Sequence, residues 1–446
     1  MMRSLFSGVS GLKTHQTKMD VIGNNIANVN TIAYKSQSAT FQELMYQTTQ
    51  NASGANVDTG RGGVNAKQIG LGVSTAAINT AISTAGSSQS TGNPFDVQIK
   101  GDSFFIVSDG ADNYFTRAGA FYVDGAGNLA MTSNGYTVMG WQEDPTREGT
   151  IKKDNVSPIK IMSPENMTSS PEMTTKTYME GIIDKNSTQL TSTDGLIVNV
   201  QLYDELGYSY IAQFSIKSTT TDGTYDITPV HLLDSQGNDL MDSTNPTGIT
   251  ATVTLEPAST LVYDTKTGEN KSGPTNIKVG GIDAFKDSLT TPIELDVTTT
   301  KMYDNKGTST IKGIAGDFDG HYTGRKVGAM SGVSISTDGK ILASYDNGTT
   351  KLLGQIAVAT FPNPSGLEKV GDNLYTSTMN SGQFDGIGQD VTSGAGSFST
   401  GVLEMSNVDL SAEFTDMITT QRGFQANSRI ITVSDSMLEE LTNLKR

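Results

Sequence analysis

The sequence predicts a mainly β protein in which antiparallel β domains are inserted between an N-terminal and a C-terminal α-helix, the two helices pairing as a coiled-coil-like inner domain. Three observations predict it. Apolar residues recur every seven positions at both ends of the 446-residue chain. Between the ends the apolar period falls to two and is punctuated by Asp-Gly and Asn-Gly pairs. Gly contributes 48 residues while Asp, Glu, Lys and Arg together make up 17%, against about 25% in an average domain, a balance suited to short strands and many turns.

At the N-terminal end Leu5, Leu12, Met19 and Ile26 are spaced by seven, and Val9, Ile22 and Val29 widen the stripe. That period marks a helix burying one narrow seam against another helix. Leu410, Met417, Phe424, Ile431 and Leu438 repeat the spacing at the other end, flanked by Phe414, Ile418 and Leu441. Asp409 or Ser411 suits the start of this helix, with Glu413 supporting a capping box. Lys445 and Arg446 suit the negative end of its dipole. The alternate positions of the second seam are polar (Gln421, Ser428, Asp435), so two such helices alone would pair weakly. These nine apolar residues are therefore the candidate assembly seam, shared between the ends or with neighbouring copies. His15 reads as an ordinary surface residue on the polar flank of the first helix.

The middle reads as half-buried antiparallel strands. Tyr208, Tyr210, Ala212, Phe214 and Ile216 alternate with polar residues, as do Ile249, Ala251, Val253 and Leu255, and residues 196–202 follow the same pattern. Turns are expected at Asp124-Gly125, Asp222-Gly223 and Gln236-Gly237-Asn238. Asp338-Gly339 and Asn347-Gly348 divide a meander of 333–337, 340–345 and 352–361. Stretches 51–63, 83–93 and 381–401 are rich in Gly, Ser, Thr and Asn and read as flexible joints. The expected organisation is a helical inner domain from 1–32 and 405–446, flexible connections at 33–92 and 385–404, a β domain from 93–161 and 301–384, and an outer β domain inserted at 162–300.

A net charge of −16 argues against a general nucleic-acid binder, which needs a basic face. The absence of cysteine excludes disulfides, thiolate metal sites and a cysteine nucleophile. No apolar run reaches the ~18 residues of a membrane span, so no membrane insertion is expected. The first residues lack the apolar core of a cleaved signal, which leaves the cytoplasm or an export route without one. His15, His231 and His321 show no metal-ligand spacing. Asp317-Phe318-Asp319-Gly320 opens like a calcium loop but lacks the downstream glutamate, and Asp234 to Asp239 misplaces its glycine. Gly70-Leu71-Gly72 lacks the third glycine of a dinucleotide loop, and Arg61-Gly62-Gly63 is an isolated basic turn. No enzyme, catalytic residue, cofactor or metal is expected. Trp141, Phe104 and Phe105 read as core, since a chain with 7% aromatics needs its large rings inside.

Within residues 7–41, Ser7-Gly8-Val9-Ser10-Gly11-Leu12 and Met19-Asp20-Val21-Ile22-Gly23-Asn24-Asn25-Ile26-Ala27-Asn28-Val29-Asn30-Thr31-Ile32-Ala33-Tyr34-Lys35-Ser36 resemble the N-terminal signature of bacterial flagellar rod and hook proteins. Ser406-Asn407-Val408-Asp409-Leu410, then Gln421-Arg422-Gly423-Phe424-Gln425-Ala426-Asn427-Ser428 and the final Leu441 to Arg446, resemble that family's C-terminal signature. Asn93 to Gly101, Phe104-Phe105 and Tyr114 to Phe121 are similar to the β domain shared by its distal rod and hook members. The length and residues 353–371 are similar to the hook members. Ala33 stands where the family often has glycine, which suggests that no positive-φ turn is needed there. The cysteine crosslink of spirochaete members has no counterpart here.

The resemblance implies a structural subunit that assembles into the hook, a curved flexible tube joining motor to filament in motility. It implies as partners other copies of the chain in a helical homopolymer, the distal rod protein, the hook cap protein, the hook–filament junction protein and the flagellar type III export apparatus. The implied location is extracellular, at the flagellar hook and basal body, reached without a cleaved signal. The alternatives are a distal rod or junction protein of the same family, or an extracellular glycan-binding adhesin, which leaves the paired ends unexplained.

Overall fold

A computed structural model of the chain describes residues 2–54, 60, 62–147, 149–243, 250–256, 260–282, 292–394 and 396–444. The chain divides into two compact units. The first comprises Met1–Ser163, Val333–Ala343 and Lys351–Arg446, the second Pro164–Gly332 and Ser344–Thr350.

The first unit holds both long helices, Met2–Ala27 and Leu410–Asn443. At 1.5 Å per residue the second is about 50 Å long. The N-terminal helix stops at Ala27, so Val29 lies beyond it. Asn28 takes over the end, its side chain donating to the Asn24 carbonyl and accepting from the Thr31 hydroxyl. Asp409 caps the C-terminal helix, its carboxylate accepting from the Ser411 and Ala412 amides. Glu413 falls one position late for a capping box; its carboxylate accepts from Asn25 Nδ2 at 2.9 Å instead. Lys445 and Arg446 lie outside the described residues.

The main sheet of this unit runs in the order Thr350–Ile356, Thr137–Gln142, Phe104–Ser108, Asn113–Thr116, Leu374–Thr376 and Glu368–Gly371, all antiparallel. Phe104, Phe115, Trp141, Phe361 and Tyr375 pack beneath it, with Phe115 edge-on to Phe361 at 4.8 Å. Trp141 buries its ring and donates Nε1–H to the carbonyls of Asp154 and Ile387, each at 3.0 Å. Trp141, Phe104 and Phe105 are core.

Residues 33–92 carry five strands where the sequence reads as a flexible connection. Gln37–Glu43 pairs with Val73–Thr80 and Tyr46–Gln50 with Lys67–Gly70, forming one long hairpin. Ser88–Ser90 pairs with Val402–Glu404, and Val97–Lys100 with Ser397–Thr400. A polar, glycine-rich composition does not reveal a strand partner some 300 positions away. Residues 55–59, 61 and 395 of the expected joints lie outside the described residues, as does Arg61 of the basic turn.

The second unit contains a four-stranded antiparallel sheet, Leu196–Tyr203, Ser209–Ser218, Thr224–Leu233 and Thr260–Val262. In its first strand Leu196, Val198, Val200 and Leu202 are buried while Ile197, Asn199 and Gln201 are exposed, so the period of two is realised. A five-stranded sheet follows the order Thr252–Glu256, Thr275–Gly280, Ile293–Asp296, Lys176–Glu180 and Lys312–Ala315. Lys176–Glu180 runs parallel to Ile293–Asp296, and Ile182–Ile183 parallel to Lys301–Met302, which departs from the purely antiparallel expectation. Phe214, Ile227, Ile277, Leu295 and Met179 share one core. Ile249 lies outside the described residues.

The meander is Gly328–Ile335, Lys340–Tyr345 and Thr350–Ile356, turned at Gly339 and Gly348 with φ of 84° and 80°. The turn near Asp124 places its positive φ at Gly127 (84°) rather than at Gly125.

Candidate assembly surface

The two terminal helices lie antiparallel. Asn25 reaches Glu413, Lys18 Nζ lies 3.4 Å from Asp416, and residues 8–15 face 423–431. Glycine sets how closely they approach. A methyl group at Gly8 would lie 3.3 Å from Ile431 Cγ1, at Gly11 2.6 Å from Asn427 Nδ2, and at Gly423 2.7 Å from His15 Cε1. These glycines read as neutral in an apolar-period search. The signal that would have found them is the i, i+3 pair Gly8 and Gly11 beside the stripe.

Leu5, Leu12, Met19 and Ile26 are half-buried, as are Met417, Phe424, Ile431 and Leu438, whereas Leu410 is exposed. The second line of the C-terminal seam runs through Glu413, Thr420, Asn427 and Ser434, of which Thr420 and Ser434 are buried. Gln421 and Asp435, the positions read from sequence, are exposed. His15 is not an outer-flank residue. Its ring lies against Gly423 and edge-on to Phe41 at 5.7 Å. Burial there, and the nearby Lys18 charge, hold its pKa below the usual 6.5. Burial raises the Glu413 pKa.

The N-terminal signature builds a junction below the helices. Asn25 is fully buried; its side chain donates to the Gln37 carbonyl and accepts from the Gln37 amide and the Tyr34 hydroxyl. Ala33 takes φ = 56° while its amide donates to the Glu404 carbonyl at 2.8 Å. The positive-φ turn for which alanine suggests no need is therefore present, over-determined by burial and by this bond. Asn407, from the C-terminal signature, accepts from the Ser36 amide and donates to the carbonyls of Ala81 and Thr84.

Beside it lies a fully buried charge cluster. Lys35 Nζ sits 2.7 Å from Glu404 Oε1 and donates to the Thr84 carbonyl. Arg117 donates to the carbonyls of Gly101 and Ser103, with Nε 3.5 Å from Glu404 Oε2. Burial lowers the Lys35 pKa, and the Glu404 carboxylate opposes that effect. The cluster joins three distant segments of chain and leaves no exposed polar group for chemistry. The Asp317 loop is an Asx-type turn whose carboxylate accepts from the Asp319 and His321 amides. Among the described residues, Asp317, Asp319 and His321 bring their ligand atoms within 4.8 Å of one another.

Much of the helix surface is apolar and uncovered. Leu410, Phe414, Ile418, Ile430, Val433, Met437, Leu441 and Leu444 are all exposed, as are Phe6 and Val9. Phe6 and Val9 line a cleft of about 430 Å³ with Leu44 and Leu71 from the long hairpin.

Three family profiles match the chain. They are described as flagella basal body rod protein (residues 5–35), flagellar hook protein FlgE/F/G D1 domain (98–173) and flagellar basal body rod FlgEFG protein C-terminal (399–444). The chain is 37% identical to the flagellar hook protein FlgE of Borreliella burgdorferi over the full length of both chains. It is 34% identical to the FlgE of Treponema pallidum over the full length of both. It is 30% identical to the flagellar basal-body rod protein FlgG of Bacillus subtilis, again over both full lengths.

Proposed function

The chain belongs to the flagellar hook protein FlgE family, and from that premise we propose that it polymerises through its terminal helices into the hook of the bacterial flagellum. The observation that carries this reading is the exposed apolar surface of the C-terminal helix. The C-terminal helix buries Thr420 and Ser434 and no large apolar side chain, while the N-terminal helix buries Gly8, Gly11 and Thr14 together with Val21 and Ile22. Fully burying one Leu or Phe side chain contributes on the order of 1.5–3 kcal/mol, so covering these side chains with other copies supplies the drive for assembly. A heterologous contact repeated with fixed rotation and rise gives an open helical polymer.

In this reading Leu5, Leu12, Met19, Ile26, Leu410, Met417, Phe424, Ile431 and Leu438 form the seam of the inner layer. The β units form outer layers whose Ser, Thr and Asn surfaces exchange contacts as the tube bends. The ends order on assembly, and the chain is exported unfolded by the type III apparatus, to lie between the distal rod protein and the hook–filament junction protein beneath a cap. The role is structural, with no catalytic step.

Negative-stain images of the concentrated protein test the reading. A curved tube is expected. A straight tube would favour a rod role, and persistent monomers would refute the proposal. Phe424→Asp is expected to abolish tubes while leaving the β units folded by circular dichroism.

A further inference from the structure

Six of the eight exposed large apolar residues between 410 and 444 form two matching ladders, and Ile430 and Leu444 adjoin the second. Leu410, Phe414 and Ile418 form one, at spacing i, i+4, i+8; Val433, Met437 and Leu441 form the other at the same spacing, each residue 23 positions after its counterpart. All six are between 39% and 59% exposed. At 3.6 residues per turn the ladders lie about 140° apart around the axis. Each therefore occupies one flank of the seam that faces the N-terminal helix, the first in the N-terminal half and the second in the C-terminal half. Beside the first ladder, the opposite flank carries Ala412, Thr415 and Thr419; beside the second, the opposite flank carries Thr432, Ser436 and Glu439, all exposed.

We propose that the two ladders dock on each other between neighbouring parallel copies, Leu410 against Val433, Phe414 against Met437 and Ile418 against Leu441, with an axial stagger of roughly 35 Å from the 1.5 Å rise per residue. This rests on the self-assembly proposed above and names its contact. Unstaggered side-by-side packing would set three large apolar side chains against Ala412, Thr415 and Thr419, and the second ladder against Thr432, Ser436 and Glu439. A shift of 23 residues sets all three residues of one ladder against all three of the other, where a shift one turn shorter or longer pairs two. The partner is a second copy of this chain, because each flank supplies what the other lacks. The contact is heterologous: a copy that offers its first ladder still has its second ladder free, so addition continues along a staggered row.

The absence of cysteine makes crosslinking unambiguous. Phe414→Cys and Met437→Cys variants, assembled singly and also co-assembled from an equimolar mixture of monomers, are treated with a short bis-maleimide and resolved on denaturing gels. The mixture is expected to give dimers, each variant alone none, and a chain carrying both substitutions a ladder of multimers. Dimers from Phe414→Cys alone, or from its mixture with Thr419→Cys, would overturn the staggered pairing. So would tubes whose Phe414→Cys and Met437→Cys mixture gives no crosslink, and in that case self-assembly itself would stand. Failure of the unsubstituted chain to form tubes would instead remove the reading on which the inference rests. Ile418→Cys with Leu441→Cys repeats the test one turn along. Tubes of that pair lacking the crosslink refute the register, whatever the effect of the first substitutions on assembly.

Discussion

Gly423→Ala measures whether the terminal helices meet as closely as the structure indicates. A glycine in a helix interior is about 0.5–1 kcal/mol less favourable than alanine, so without a neighbour this substitution would stabilise the helix. Here the new methyl group would lie 2.7 Å from His15 Cε1 and 2.8 Å from Nε2. The imidazole must give way, and the Phe41 ring packed edge-on against it limits where it can go. Overpacking of this kind costs about 1–3 kcal/mol. The net effect is a loss of up to ~2.5 kcal/mol. In a His15→Ala background the obstruction is gone, and the same change should gain about 0.5–1 kcal/mol. The critical concentration for tube assembly reads both, since each 1.4 kcal/mol is about tenfold. The double-mutant cycle should return a coupling of ~1–3 kcal/mol, or about 5- to 150-fold. Equal effects of Gly423→Ala in the two backgrounds would refute the close antiparallel approach at this level.

Three further outcomes follow from the junction and the seam. Glu404→Gln leaves Lys35 and Arg117 buried without a counter-charge and should lower stability to denaturant by about 3–5 kcal/mol; a loss below ~1 kcal/mol would mean the cluster is not closed to water. At Ala33 (φ = 56°), glycine relieves strain but gives up a buried methyl and a stiffer unfolded chain, so Ala33→Gly should change stability by less than about 1 kcal/mol, whereas a β-branched Ala33→Val should cost more than ~2 kcal/mol. His15 is held below its usual 6.5 by burial and by Lys18, so the unfolded chain takes up the proton first as pH falls. Helix-pair stability should therefore decline as pH drops from about 7 through 6.5, flattening below the folded pKa, at up to ~1.4 kcal/mol per pH unit. His15→Gln should remove that slope between pH 8 and 6; Glu413, whose burial-raised pKa acts in the opposite sense, is untouched by this change.

Much of the architecture is legible in the sequence because periodicity reports directly on which face is buried. The seven-residue repeats locate both helices, and the alternation of 196–202 becomes a strand with every second residue inside. Periodicity does not report the partner, however. The polar second line of the C-terminal seam could stand three or four positions after the apolar one; the structure takes three, at Thr420 and Ser434, because the helices close on glycines that have no side chain to register in a hydrophobic pattern. His15 is misread for the same reason, since its neighbour is Gly423, some 400 positions away. Ala33 is misread because a residue's identity sets the cost of a positive φ and not whether the surroundings impose it. The strand Ser88–Ser90 hides within polar composition because its partner, Val402–Glu404, lies some 300 positions away, and the hairpin at 37–80 because its strands are mostly exposed on both faces and so show no apolar alternation.

The account stands on the terminal helices completing their apolar burial only against other copies. Amide hydrogen exchange over residues 410–444, compared between dispersed chain and assembled tube, tests this most directly. The account predicts fast exchange along this helix in the dispersed chain, with strong protection gained on assembly and the β units protected in both states. Equal and strong protection of 410–444 in the two states would contradict it.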